Sequence, residues 1–333
     1  MSDHLLDIQN VTKIFGSGLL SKDEVIAVEN VSLMLPEGDA RIITIAGESG
    51  SGKSTLGLMT LGFLEPDNGA IHYKGNDIYH MRGNSYASFR REVQAVFQNP
   101  FEAFNPFYHV DHTFDLVIKK FKLASDRNEI REMVEAALNV VRLDPENTLG
   151  KYPHQLSGGQ LQRIMLARAF LLKPRIIVAD EPVSMIDASL RAIVLDIMVE
   201  LKEQFGISQL YITHDLSTAL QISDELLIMY QGNVVERGDI EAVIENPQHP
   251  YTQLLIQSIP TPDPTEKWEK PLGLEIEDLE DTSLANGCKF YDRCPHRMDR
   301  CLTAFPQYYE ANMNQLVACY LYDESKSVEV AAK

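Results

Sequence analysis

A chain of 333 residues, 44% of them hydrophobic, is long enough for one large domain with a smaller appendage and apolar enough for a sizeable core. Its formal net charge of −18 argues against the dense basic face that nonspecific nucleic-acid binding needs, so nucleic acid is not an expected partner; a local basic patch on an acidic protein is the alternative. No apolar run reaches bilayer-spanning length, and Met1-Ser2-Asp3-His4 lacks the basic and apolar regions of a signal peptide; the chain therefore reads as cytoplasmic, and any work at a membrane needs a separate membrane-embedded partner.

Residues 5–10 and 27–35 show the partial alternation of strands, with a Gly/Ser-containing loop at 16–22 between them. Residues 41–46 form a short apolar strand that enters a glycine-rich loop, and 54–64 read as the helix leaving it. A turn at 65–69 precedes a strand pair around 70–78. From about 86 to 143 the pattern is mostly helical, with apolar residues at helical spacing over 129–141. A helix over 160–172 is stopped by Lys173-Pro174. Residues 175–179 and 209–213 read as buried parallel strands joined by a helix over 189–205, and this alternation predicts an α/β core. Pro260, Pro262, Pro264 and Pro271 mark a linker, 275–281 are acidic, and a cysteine-bearing tail follows. The expected division is a main domain over 1–259, with a helical subdomain at about 86–172, and a C-terminal domain over 260–333.

Gly47-Glu48-Ser49-Gly50-Ser51-Gly52-Lys53-Ser54 satisfies the phosphate-loop pattern between a predicted strand and a predicted helix. Glycines let consecutive backbone N–H groups point at phosphate oxygens, and the helix N-terminus adds a favourable dipole. Lys53 is then expected on the β- and γ-phosphates, the Ser54 hydroxyl on Mg²⁺, and Thr55 beside the α-phosphate. A glycine-rich turn is the plain alternative, and the strand-to-helix context weighs against it. Asp180 and Glu181 end a predicted strand: Asp180 can reach Mg²⁺, and Glu181 is the candidate for polarising the attacking water. An acidic turn would explain such a pair in isolation; next to a phosphate loop it does not. His214 ends a third strand of the same sheet, and ligands of open α/β sheets bind at carboxyl strand ends, so His214 is assigned to the γ-phosphate side.

Leu156-Ser157-Gly158-Gly159-Gln160 alone reads as a helix N-cap with glycines. Its place upstream of Asp180-Glu181 makes it specific, and residues 47–214 together resemble the ATPase subunits of ABC transporters. The resemblance implies a RecA-like P-loop core with an antiparallel β subdomain and a helical subdomain. It also implies a head-to-tail dimer, with a second cassette that is either a paralogue or another copy. In such dimers Ser157, Gly158, Gly159 and Gln160 close over nucleotide held by the opposite subunit. Gln98 matches the glutamine loop that senses Mg²⁺ and water and relays to the membrane subunits, and Asp187 lies in the loop that crosses the dimer interface. Phe15 lies where the family stacks an aromatic on adenine; a core phenylalanine is the plain alternative. Phe101 to Phe107 are expected to receive a loop helix of the membrane subunit, unless they are core residues. The Phe97-Gln98-Asn99-Pro100 run leading into Phe104-Asn105-Pro106, and the segment from Asn246 to Thr252, are similar to the ATPases of oligopeptide/dipeptide importers. The loop from Gly16 to Val25 and the Gly52-Lys53-Ser54-Thr55-Leu56-Gly57 run resemble more closely the second ATPase type of such systems. The partners so implied are a pair of permease subunits and, through them, an extracytoplasmic binding protein, with the ATPase at the cytoplasmic face of the membrane. Relatives carry oligosaccharides, nickel or opines, and soluble non-transport ABC ATPases form a further alternative. P-loop kinases and GTPases have no need of the Leu156–Gln160 signature.

The four cysteines, Cys288, Cys294, Cys301 and Cys319, follow the spacing C-x5-C-x6-C-x17-C. In a cytoplasmic chain a tight thiolate cluster points to metal over disulfides, but the paired knuckles usual for zinc are missing. Four thiolates also suit an iron–sulfur cluster. The spacing resembles the tail of peptide-importer ATPases, which implies a 4Fe–4S cluster ahead of zinc, with free structural cysteines as the plain alternative.

Overall fold

Where each strand of the central sheet ends decides where the chemistry sits. The computed structural model describes residues 4–16, 24–259 and 286–323, so the predicted linker and acidic run lie outside the described residues. The strands are β1 (His4–Phe15), β2 (Val25–Pro36), β3 (Ile42–Ala46), β4 (Asn68–Tyr73), β5 (Asn76–Asp77), β6 (Val93–Val96), β7 (Ile176–Asp180), β8 (Ser208–Thr213), β9 (Glu225–Tyr230), β10 (Asn233–Asp239), β11 (Tyr309–Asn312) and β12 (Gln315–Val317). They form two sheets: an antiparallel one in the order β2-β1-β4-β5, and a larger one in the order β11-β12-β10-β9-β3-β8-β7-β6. From β9 to β6 the larger sheet is parallel. β3 and β8 are buried at every position, as strands covered on both faces must be, including the polar residues Thr44, Ser208, Gln209 and Thr213.

The predicted α/β core is present, with one addition. β6 lies inside the span read as helical, so the expected subdomain at 86–172 includes an edge strand of the central sheet. At four residues, directly after the helix Gly83–Glu92, β6 is too short to carry a period of its own. Beyond it come the helices Asp111–Phe121, Arg127–Val140 and Gly158–Phe170. They share a core in which Phe114, Leu138, Leu161 and Met165 meet Val194 and Ile197 of the helix Ala188–Phe205. β1 and β2 run longer than their alternation predicts. Asn10 and Asn30 adopt left-handed backbone (φ 48° and 51°), a conformation asparagine tolerates, and the pairing shifts register there without stopping.

The aromatic run after Gln98 divides. Phe104 is buried, so the core reading holds for it, whereas Phe101 and Phe107 are 51% and 85% exposed. The tail also departs from expectation, because it is built into the cassette. β12 pairs with β10, placing Val317 opposite Glu236 and Gln315 opposite Gly238. Cys288, Phe290 and Cys301 pack in one core with Ala46, Leu216, Ile228 and Tyr251. Among the described residues no helix is long and apolar enough to cross a membrane.

Candidate nucleotide site

The phosphate loop leaves β3 through backbone that only glycine accepts. Gly47 (φ 151°) stands so close to Met229 that a β-carbon would lie 2.1 Å from its carbonyl oxygen. Gly52 (φ 100°), at the start of the helix Lys53–Thr60, would place one 2.1 Å from the Ala27 carbonyl oxygen. The curled loop encloses the Lys53 ammonium, which donates to the carbonyl oxygens of Gly47 (2.8 Å) and Glu48 (2.7 Å) and to Ser51 Oγ (3.3 Å). Burial lowers the Lys53 pKa, while Glu181, Asp180 and Glu48 oppose that shift. A cation held by carbonyl oxygens of its own loop is equipped to exchange those oxygens for phosphate oxygens.

Three neighbouring strands deliver the rest. Gln98 follows β6, Glu181 follows β7 and His214 follows β8, and these strands are adjacent in the sheet. Gln98 Nε2 donates to one Glu181 carboxylate oxygen at 2.8 Å, and His214 Nδ1 lies 2.8 Å from the other. The Glu181 backbone is left-handed (φ 45°), and its N–H donates to the Ile212 carbonyl oxygen of β8 at 2.8 Å. This turn swings the carboxylate out of the strand line toward its two partners. The sequence-predicted trio is therefore one cluster centred on Glu181.

Asp180, the last residue of β7, keeps Oδ1 buried without a hydrogen-bond partner. Burial raises its pKa, against a hydrogen bond from Ser54 that lowers it. An orphaned carboxylate oxygen beside a serine hydroxyl is the hard-oxygen environment Mg²⁺ takes, so the residues present fit that ion.

The signature stands apart from this cluster. Ser157 caps the helix Gly158–Phe170, its Oγ accepting from the Gln160 N–H at 3.2 Å while Gln160 Oε1 accepts from the Ser157 N–H at 2.9 Å. The N-cap reading of this motif is thus correct as local structure. Gly158 and Gly159 face the segment that carries Asp187: a β-carbon on Gly158 would lie 3.4 Å from Met185 O, and one on Gly159 2.9 Å from Leu190 Cδ1. Among the described residues no hydrogen bond joins Ser157, Gly158 or Gly159 to residues 47–55. Phe15 ends β1 at 43% exposure, which sets aside a core role. Ser49, Gly50 and Thr55 lie within or next to the loop, as the sequence places them.

The four cysteines are all free and line one small cavity together with His249, Phe290, Tyr291 and Met298. Burial pushes the Cys288 thiol up to about 12 and Cys319 up to about 11, and neighbouring thiols add to both shifts. Among the described residues no group of three or more His, Cys, Asp or Glu side chains is arranged to hold a metal ion. The sulfurs therefore share a cavity without forming a coordination site in this arrangement.

Two groups that contact the loop were not read from the sequence. The Tyr251 hydroxyl accepts from the Glu48 N–H at 2.9 Å, and Arg293 pairs with the Glu48 carboxylate. Tyr251 belongs to a run noticed only for its resemblance. Arg293 lies 245 positions from its partner, and no local pattern marks it.

Comparison with known proteins agrees with this geometry. The ABC transporter family model matches residues 28–184, and the model for the oligopeptide/dipeptide transporter C-terminal region matches 235–301. The oligopeptide transport ATP-binding protein AppF of Bacillus subtilis is 38% identical over 327 residues, 96% of this chain and 97% of the relative. The oligopeptide transport ATP-binding protein OppF of Salmonella typhimurium is 36% identical over 298 residues, 89% and 88% of the two chains. A solved dimer of the ATP-binding cassette MJ0796 in a post-hydrolysis state, bound to ADP and Pi, is 27% identical, with a TM-score of 0.62 over 71% of this chain and 98% of that one. The chain thus belongs to the ABC transporter family, as one of its ATP-binding, ATP-hydrolysing cassettes.

Proposed function

We propose that this cassette powers a membrane importer of oligopeptides or dipeptides, and that Glu181 is its general base. The single observation behind the second part is the convergence of Gln98 and His214 on the two oxygens of the Glu181 carboxylate. A carboxylate gripped at both oxygens is aimed, and an aimed base at a strand end can take a proton from water placed for in-line attack on the γ-phosphate. Lys53 and the loop amides hold the β- and γ-phosphates. Ser54, Asp180 and Gln98 hold Mg²⁺, which neutralises phosphate charge when bound. His214 turns from Glu181 toward the γ-phosphate as the site fills, and Phe15 stacks on adenine.

The site is completed by a second cassette whose signature, Ser157, Gly158, Gly159 and Gln160, closes over the nucleotide head to tail, with Ser157 and Gly159 on the γ-phosphate and Asp187 crossing the interface. The outward position of Ser157 supports this. Permease subunits dock at the exposed Phe101 and Phe107, which places the cassette at the cytoplasmic face of the membrane, and an extracytoplasmic binding protein delivers cargo to them. The match to the oligopeptide/dipeptide C-terminal region and the names of the relatives support a peptide cargo over an oligosaccharide, nickel or opine. The tail, residues 260–333, carries a 4Fe–4S cluster on Cys288, Cys294, Cys301 and Cys319. The shared cavity supports this assignment; no group of three or more side chains among the described residues is arranged to hold a metal, so a cluster or the alternative zinc would each require the sulfurs to close in on it.

The test of the chemistry is Glu181→Gln. It is expected to cut turnover by about 10²–10⁴-fold while ATP affinity stays within about twofold. Hydrolysis at the wild-type rate would remove Glu181 from the role. For the cluster, anaerobically purified protein should carry stoichiometric iron and sulfide, and Cys294→Ser should lose both.

A further inference from the structure

The phosphate loop is held from behind by groups that hydrolysis does not use. The Glu48 N–H donates to Tyr251 Oη at 2.9 Å, and the Ser51 carbonyl oxygen accepts from the Gly232 N–H at 3.0 Å. The Glu48 carboxylate takes both terminal nitrogens of Arg293, each at 3.0 Å. Tyr251 and Gly232 belong to the cassette, whereas Arg293 belongs to the tail, in the one-turn helix Tyr291–Arg293 beside Cys294. Its guanidinium also donates to Tyr230 Oη at 3.4 Å and stands 5.5 Å from the centre of the Phe290 ring. Pairing with Glu48 raises the Arg293 pKa further, so it is a fixed charge at every working pH. Two parallel charge-assisted bonds fix direction as well as distance.

Glu48 is where such a grip has leverage. It follows Gly47, whose left-handed backbone starts the curl, and its carbonyl oxygen is one of the acceptors Lys53 must leave to meet a phosphate. We propose that Arg293 is a positioning residue for nucleotide binding: by holding Glu48 it pre-forms the phosphate loop, so the cysteine-bearing tail sets the affinity of the cassette for ATP. Pre-forming a loop lowers the ordering cost that binding otherwise meets. The inference rests on reading residues 47–54 as the phosphate loop. Arg293 touches neither the reacting phosphate nor the water, so its effect falls on Kd and KM and leaves kcat alone.

The experiment titrates the full-length chain with a fluorescent ATP analogue in Mg²⁺, comparing wild type, Arg293→Met, Arg293→Lys, Glu48→Gln and the double variant Arg293→Met/Glu48→Gln. Arg293→Met is expected to weaken binding about three- to tenfold, with Arg293→Lys between it and wild type because charge remains but the fork is lost. Glu48→Gln should show a similar loss, and the double variant should be no worse than either single one. In ATPase assays KM should rise by the same factor while kcat stays within about twofold. A Kd for Arg293→Met indistinguishable from wild type, or additive losses in the double variant, would overturn the proposal. If Arg293→Met does not fold, Glu48→Gln puts the same question from the other side of the pair. Lys53→Ala binding the analogue as wild type does would instead overturn the assignment of the loop itself.

Discussion

The hydrolytic centre and the signature are built by opposite means. Glu181 meets Gln98 and His214 across 83 and 33 positions of sequence, and adjacent parallel strands bring the three together. Ser157 and Gln160 satisfy each other within a single helical turn. The first arrangement closes on itself and is finished by folding. The second spends its polar groups on capping a helix and leaves Ser157 exposed, with no hydrogen bond to residues 47–55 among the described residues. The contrast separates polar groups that the fold gathers on one carboxylate from polar groups that are satisfied within one helical turn.

The strongest way to break that contrast is Ser157→Arg. A long cation at the exposed cap should abolish ATP-driven dimerisation while binding to the chain's own loop stays within about twofold, since Ser157 makes no contact there. Sizing in ATP with a slow-hydrolysing variant reads this directly, and equal dimer yields would place the signature outside the interface.

A pair of glycine substitutions sharpens the contrast next. Gly47→Ala drives a β-carbon into the Met229 backbone at 2.1 Å and should cost about 2–4 kcal/mol together with nucleotide binding. Gly159→Ala meets only the end of the Leu190 side chain at 2.9 Å, which can turn away, so the change should stay within about 1 kcal/mol. Denaturant midpoints of both variants give the comparison. Equal losses would mean that the signature is as rigidly packed as the phosphate loop.

The smallest effect lies behind the tail. His249 is fully buried, and burial pushes its pKa down to about 3. Below the ordinary imidazole value of about 6.5 the unfolded chain binds a proton that the folded chain refuses, so stability falls as pH falls, by at most about 1.4 kcal/mol per unit. Glu236, which accepts from the His249 N–H at 2.8 Å, acts with the opposite sign: burial raises its pKa, so the folded state takes that proton first and offsets the loss closer to the carboxylate range. His249→Asn keeps a cap for the Tyr251 N–H and should flatten the stability profile between about pH 6.5 and 5, as urea unfolding at both values would record.

The nucleotide half of the site was legible because its chemistry is written in contiguous runs at strand ends. An apolar strand followed by Asp180-Glu181, or by His214, needs only the order of elements to place it. Legibility failed where a contact crosses the sequence without a periodic signal. β6 was too short to be seen beside its helix, and Phe104 and Phe107 have the same chemistry but opposite burial. No local pattern marks Arg293, because its partner Glu48 lies in a loop 245 positions away. The tail read as an appendage because its linker is proline-rich, while the strand pairing that anchors it is two short runs of ordinary composition.

That pairing bears on synthesis. β10 has β9 on one side within a short hairpin, but its other side waits for β12, and Gln315, which donates to the buried Glu236 carboxylate at 2.7 Å, arrives 79 positions later. A nascent chain therefore leaves the ribosome with an open sheet edge and a carboxylate short of one of its donors, at a stage when the whole nucleotide site has already been translated. An unpaired edge of this kind is a template for joining other chains. Chains interrupted between Asp239 and Gln315 should accordingly be clients of chaperones and proteases even though every residue of the phosphate loop and the Glu181 cluster is present.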